Sequence, residues 1–212
     1  ANRNHGATLA RVEWLALTDD DCLPEPDWLQ ALSKATADAD ALEGRTVADR
    51  PQRSLAEKSP INTNGGYWWS CNFAVRTELF RRLGGFNEGF PYAAMEDVDF
   101  AQKMRAARAR QKFIAAAGVC HPWREIPGFR GMWSDERKHL ASVKYYLQLH
   151  PEARAIHTPG FYLKNNARKL VRETLPCLWR WRGRGAGVAL AWHLHTLLNA
   201  WAMLNPEPVK AK

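Results

Sequence analysis

The chain has 212 residues, 46% of them apolar, which is enough for a hydrophobic core and excludes a wholly disordered protein. Its four cysteines are widely spaced without a Cys-x-x-Cys pair, which excludes a disulfide framework and a zinc knot. The net charge of +8 is concentrated in residues 164–184, which carry seven Lys or Arg and one Glu, so the pattern favours an anionic surface over nucleic acid as a partner.

The first half of the chain predicts alternating helices and strands. Its predicted elements are a helix at 4–11, a strand at 13–18, a helix at 27–37, a strand at 41–48 and a loop at 49–66. We expect Trp28, Leu29 and Leu32 on the inner face of the second helix. The strand at 13–18 is apolar and ends at three consecutive aspartates, so it delivers carboxylates to a sheet edge.

The second half continues the alternation. Its predicted elements are a strand at 67–75, a helix at 76–83, a helix at 96–108, a strand at 112–119 and a helix at 134–150. Gly84 and Gly85 end the first of these helices, and Ser134 is the predicted N-cap of the last. This order predicts an α/β protein with a mixed sheet flanked by helices and a C-terminal helical tail.

The tail, residues 159–204, contains an uncharged segment at 186–204. Nineteen such residues approach the length that spans a bilayer, but two histidines and an asparagine lie among them. Three alternatives stay open: a helix in the membrane interface, a helix packed on the globular body, and a transmembrane helix. Tryptophans beside arginines are typical of a membrane interface.

Two acidic clusters carry the candidate chemistry. Asp19 and Asp21 flank Asp20, and in an extended segment their side chains would share one face, where they suit Mg²⁺ or Mn²⁺. A solvated loop or a helix cap is the alternative. Glu96 and Asp97 open a helix, where acids are favoured by the helix dipole alone. The functional interpretation is a general base whose pKa the helix N-terminus lowers.

Several stretches resemble family 2 glycosyltransferases of the GT-A fold, in the order that the family uses. They are Arg3–Ala10 (like "RNxGxxxA"), Glu13–Pro24, Pro26–Leu29, Asn72–Arg76, Leu83–Glu88 and Glu96–Phe100 (like "EDxD"). The resemblance implies a nucleotide-diphospho-sugar transferase domain at residues 1–155 without the first strands of the family, followed by a basic, Trp-rich tail at residues 156–212.

The resemblance also implies roles for single residues at the donor site. Asp19 and Asp21 would hold Mn²⁺ or Mg²⁺ and the donor diphosphate, with Asp20 and Asn4 at the donor as well. Some GT-A enzymes use a late histidine as a further metal ligand, here His121, for which a surface or hydrogen-bonded histidine is the alternative. The donor would be a UDP-, GDP- or dTDP-linked sugar.

The remaining implied roles concern the acceptor. Asp97 would be the base of an inverting transfer, and Glu96 would position the base or the acceptor. Trp68 and Trp69 would stack on an acceptor sugar, although strand aromatics are usually core residues. The acceptor would be a saccharide or a lipid-linked molecule at the cytoplasmic face of a membrane. A truncated, non-catalytic domain that binds saccharide or membrane is the alternative, and nucleic-acid binding is disfavoured because no such module is visible.

Overall fold

A computed structural model describes residues 2–204, so the end of the predicted tail, residues 205–212, lies outside the described residues. The chain forms two compact units. Unit 1 contains residues 2–51, 59–89 and 96–123, and unit 2 contains residues 52–58, 90–95 and 124–204. The prediction drew its domain boundary after residue 155, whereas the helix that precedes this position groups with the C-terminal helices.

Helices and strands alternate as predicted. In chain order they are α1 (Asn2–Leu9), β1 (Trp14–Thr18), β2 (Leu23–Pro24), α2 (Trp28–Ser33), β3 (Ala41–Ala48), β4 (Glu57–Lys58), β5 (Asn72–Arg76), α3 (Thr77–Arg82), α4 (Glu96–Ala106), β6 (Gln111–His121), β7 (Arg124–Glu125), α5 (Gly128–Leu149), α6 (Pro159–Lys169), α7 (Leu175–Arg180) and α8 (Ala186–Leu204). A π-helical turn, Leu170–Thr174, joins α6 to α7.

Unit 1 is built on a mixed sheet in the order β1-β5-β3-β6-β2, which confirms the predicted fold class. Only β3 and β6 run parallel, and the other neighbours are antiparallel. Both faces of the central strands are buried. Phe73 and Val75 point into a core shared with α3 and α4, whereas Ala74 points into a second core with α2. This period-two alternation is why the sheet is covered on both faces.

Three sequence predictions about these elements are wrong in detail. Leu29 is 61% exposed, because on the short helix α2 only the i, i+4 pair Trp28 and Leu32 faces inward. The strand predicted at 67–75 begins only at Asn72. Helix α5 begins at Gly128 directly after Pro127, so Ser134 lies within it and is not its N-cap.

Unit 2 is helical apart from the β4–β7 pair. Helix α8 packs against α5 and α6, and its inward side buries Val188, Ala191 and His195. The side chain of Asn166 on α6 donates to the His193 carbonyl at 2.9 Å, which ties the two helices together. Within residues 2–204 we find no helix with both the length and the apolarity needed to cross a membrane.

Candidate active site

The three aspartates lie in a tight turn between two strands of the sheet. Strand β1 ends at Thr18, and the Cys22 N–H donates to the Asp19 carbonyl at 3.2 Å. The expectation that these residues continue an extended strand is therefore wrong. After the turn Leu23 pairs with Cys120, which is the neighbour of His121. The turn thus carries the carboxylates from the end of β1 to the end of β6.

The turn and the end of β6 together form a cluster of candidate metal ligands. One ligand atom each from Asp19, Asp21, Cys22 and His121 lies within 4.8 Å of the others. The Nε2 atom of His121 is 3.7 Å from Oδ1 of Asp21. The Nδ1 atom lies 3.0 Å from the Pro122 carbonyl, which can only accept, so Nδ1 is the donor there and Nε2 is the nitrogen that faces Asp21.

These donors fit a hard divalent cation. Two carboxylates and a neutral imidazole suit Mn²⁺ or Mg²⁺ better than a soft metal. Burial raises the pKa of the Cys22 thiol, which keeps it protonated at neutral pH and makes it a poor ligand. Asp21 is 57% exposed at the rim of the cluster, whereas His121 is only 13% exposed at its base. Asp20 is exposed in the same turn.

The second acidic cluster begins α4. Phe100 and Met104 anchor this helix in the core of unit 1, and Met95 enters it with a left-handed φ of 74°. Such a backbone is strained for a residue with a side chain, and strain of this kind concentrates at functional sites. Asp99 is buried against Lys103 at 2.8 Å, so it has a structural role. Glu96 and Asp97 therefore form the chemically available part of this cluster.

Asp97 has a pKa raised to about 6. Burial is the main cause, followed by the neighbouring negative charge of Glu96. Backbone N–H groups of Val98 and Ser70 oppose the rise, and the Val98 N–H lies 2.8 Å from Oδ1. The prediction that the helix N-terminus lowers this pKa is wrong, because desolvation outweighs the hydrogen bonds. Asp97 is still about 90% ionised at pH 7.

Arg3 connects the two acidic clusters within unit 1. Its Nη2 atom donates to Oδ1 of Asp19 at 2.5 Å, and its Nη1 atom lies 3.6 Å from Oε1 of Glu96. One guanidinium therefore compensates both a candidate metal ligand and the neighbour of the candidate base. Arg3 was not among the predicted site residues, although it lies in the first stretch of the family resemblance. Its position directly before Asn4 was the available signal.

Comparison with known proteins gives a match over the first part of the chain. Residues 1–95, less than half of the 212 residues, match the family described as "Glycosyl transferase family 2". The match ends immediately before Glu96, so the assignment of Asp97 depends on the geometry above. No curated protein matches the chain.

Two solved structures are similar to this chain. One is the mannosyltransferase PcManGT from Pyrobaculum calidifontis in complex with GDP-Man and Mn²⁺, with 19% identity and a TM-score of 0.49 over 97% of this chain and 66% of that chain. The other is TarS from S. aureus, with 15% identity and a TM-score of 0.43 over 95% and 68% of the two chains. The chain thus spans about two thirds of their length.

Asn4 lies in a network of hydrogen bonds within unit 1. Its side-chain amide donates to the Phe86 carbonyl at 2.7 Å and to Glu88 at 2.9 Å, and its oxygen accepts the Phe86 N–H at 2.9 Å. These bonds hold α1 against the turn that follows α3. Donor binding by Asn4 stays a prediction.

The predicted acceptor platform divides into two different environments. Trp68 is 5% exposed and packs edge-on against Phe73 at 6.4 Å, so it belongs to the core and not to an open platform. Trp69 stacks on Tyr67 at 4.5 Å, and Tyr67 is 52% exposed. Buried Glu43 organises this loop, because its carboxylate accepts the N–H groups of residues 66, 67 and 68.

Proposed function

We propose that the chain contains the catalytic site of an inverting, metal-dependent glycosyltransferase. The observation that carries the proposal is the double contact of Arg3, which joins Asp19 of the cation cluster to Glu96 beside the candidate base. A site that holds a nucleotide diphosphate and deprotonates a hydroxyl needs both groups in one domain. The nucleotide would be UDP, GDP or dTDP.

Asp19, Asp21 and His121 would hold Mn²⁺ or Mg²⁺, whose charge would offset the negative charge on the leaving diphosphate. Asp97 takes the proton of an acceptor hydroxyl as that oxygen attacks the anomeric carbon and the bond to the diphosphate breaks. A single displacement of this kind inverts the configuration and needs no covalent enzyme intermediate. A pKa of about 6 suits the task, because the base is ionised at neutral pH while remaining more basic than an ordinary aspartate.

Thermal unfolding with Mn²⁺ and GDP or UDP tests the cation site. We expect a shift in Tm that needs both components and disappears in Asp21→Ala. Asp27→Ala is the matched control, since it removes an exposed carboxylate next to α2 and should keep the shift. An unchanged shift in Asp21→Ala would refute the assignment of the cation site.

Turnover tests the base. Hydrolysis or transfer from a nucleotide-sugar should be lost in Asp97→Asn, while the Mn²⁺-dependent binding of GDP or UDP stays within about twofold of wild type, because the base acts on the acceptor. Wild-type turnover should fall as the pH drops through about 6. Nucleotide binding without any wild-type turnover would favour the alternative, a non-catalytic saccharide-binding domain.

We also propose that unit 2 brings the enzyme to an anionic membrane surface. Helix α8 leaves apolar side chains 41–64% exposed on its outer side, namely Leu190, Leu194, Leu197, Leu198 and Trp201. The segment from α6 to α7 exposes Val171, Leu175 and, at 88%, Trp179. Exposed cations at Lys164, Arg168 and Arg172 complement anionic lipid head groups.

Sedimentation with vesicles tests this surface. Vesicles that contain phosphatidylglycerol should bind more protein than vesicles of phosphatidylcholine alone. Trp179→Ser should weaken binding about tenfold, because it removes one inserted aromatic side chain. Leu9→Ser, at a 67% exposed position of unit 1, is the control and should bind like wild type. Equal binding by wild type and Trp179→Ser would contradict the proposed surface.

A further inference from the structure

A groove in unit 2 combines aromatic rings with unpaired cations. Its volume is about 460 Å³, and it lies along the first half of α5 beneath the loop at residues 90–95. Three aromatic and three cationic side chains give the groove its character, namely Tyr92, Phe129, Trp133, Arg130, Arg137 and Lys138. None of the described residues that line it is acidic.

The aromatic part of the groove is held in place by packing. Phe129 and Trp133 stack with ring centroids 5.6 Å apart and planes 15° apart. The His195 ring packs edge-on against the Trp133 ring, with the two ring centroids 5.3 Å apart and the ring planes at 80°. Ser142 donates to the Tyr92 carbonyl at 3.3 Å and fixes the loop on α5. Phe129 and Tyr92 nevertheless stay 37% and 47% exposed, so their rings are open to a ligand.

The positive charge of the groove is not neutralised by the acids of the same helix. Asp135 pairs with Arg124 at 2.9 Å, and Glu136 pairs with Lys58 at 3.1 Å. Among the described residues, Arg130, Arg137 and Lys138 form no ion pair or hydrogen bond with any side chain. Three cations that converge on one groove without a partner are a site for an anion, which arginine binds in a bidentate fashion.

We propose that this groove binds a saccharide that carries a phosphate or carboxylate group. The stacked rings offer an apolar face to a sugar ring, and the cations offer contacts to the anionic group. A neutral glycan would leave the cations unpaired, and a bare anion would leave the rings uncovered.

NMR titration of the indole N–H signals in the complete chain tests the groove without metal or nucleotide. The probes are glucose 6-phosphate, glucose and inorganic phosphate. We expect glucose 6-phosphate to shift the Trp133 signal and to bind at least tenfold more tightly than either of the other two. Arg137→Gln should weaken this binding about tenfold. Arg154→Gln, at an exposed arginine of unit 2 outside the groove, is the matched control.

Several outcomes would overturn the assignment. If inorganic phosphate binds as tightly as glucose 6-phosphate, the groove recognises only the anionic group and not the sugar. If Arg137→Gln weakens binding to phosphatidylglycerol vesicles but not to glucose 6-phosphate, the groove is a lipid site. The glucose 6-phosphate titration repeated on Asp21→Ala separates this proposal from the proposed function. Intact binding there, with nucleotide binding lost, supports the groove and the cation site independently.

Discussion

Replacing Asp97 with Asn should stabilise the fold increasingly as the pH rises. The two side chains have nearly the same shape, but the amide carries no charge. The pKa of Asp97 is about 6 in the folded protein, compared with the ordinary value of 3.8. Because the folded-state value is the higher one, the contribution of Asp97 to stability is full below about pH 4 and is lost as the pH rises through about 6.

The magnitude follows from that difference of about 2 pH units. Ionised Asp97 destabilises the fold by ~3 kcal/mol at pH 8 and by about half as much at pH 5, and solvent screening makes these upper limits. Urea unfolding at several pH values in metal-free buffer measures the effect. The difference in free energy of unfolding between Asp97→Asn and wild type should increase by up to ~1.5 kcal/mol in favour of the variant between pH 5 and pH 8. A pH-independent offset from the altered hydrogen bond to Val98 cancels in this comparison.

Asp27→Asn is the control for the change in net charge, because Asp27 is exposed. A difference in the free energy of unfolding between Asp97→Asn and wild type that is the same at pH 5 and pH 8, or smaller at pH 8, would contradict the raised pKa of Asp97. Either result would mean that Asp97 is not desolvated, and its pKa could then not serve as support for its role as a base.

Three further predictions concern the scaffold around the site. Gly44→Ala should lower the free energy of unfolding in a urea titration by ~1–3 kcal/mol, because the new methyl group would collide with the Asn72 amide and the Ala117 carbonyl. The control is Gly6→Ala, at a position on α1 with open space around it, which should raise the free energy of unfolding slightly. Glu43→Gln should cost ~1–3 kcal/mol, since an amide N–H would face the backbone donors of the loop. Cys71, which is buried with a pKa raised to about 12, should resist iodoacetamide at pH 8 until the protein is unfolded, as measured by mass spectrometry.

The elements with uninterrupted sequence patterns are those that sequence reasoning located well. Strand β3 has the predicted bounds, and the uncharged segment at 186–204 is helix α8. Both have local boundaries in the sequence: β3 lies between Asp40 and Asp49, and the segment of α8 contains no Lys, Arg, Asp or Glu. The strand predicted at 67–75 failed in its first half because the buried carboxylate of Glu43 fixes the loop backbone from another strand. The residues at 67–75 alone do not indicate this contact, because Glu43 lies on another strand.

The candidate site could also be predicted only in part from the sequence. The residue types of the two acidic clusters indicated cation binding and proton transfer, and the turn brings Asp19, Asp21 and His121 together. The sign of the pKa shift at Asp97 was not predictable, since it depends on how much water the fold removes. The role of Arg3 was also missed, because its contacts with Asp19 and Glu96 join residues that are far apart in the sequence.

The balance of charge around Arg3 supports a cation as part of the working site. Asp19 and Glu96 share the one guanidinium, and Asp21 adds a further carboxylate to the same cluster. Carboxylates gathered in this way repel one another, and the core contacts of α4 and the turn after β1 hold them together in spite of that repulsion. A divalent ion between Asp19 and Asp21 would relieve that repulsion, so the arrangement of these carboxylates favours cation binding.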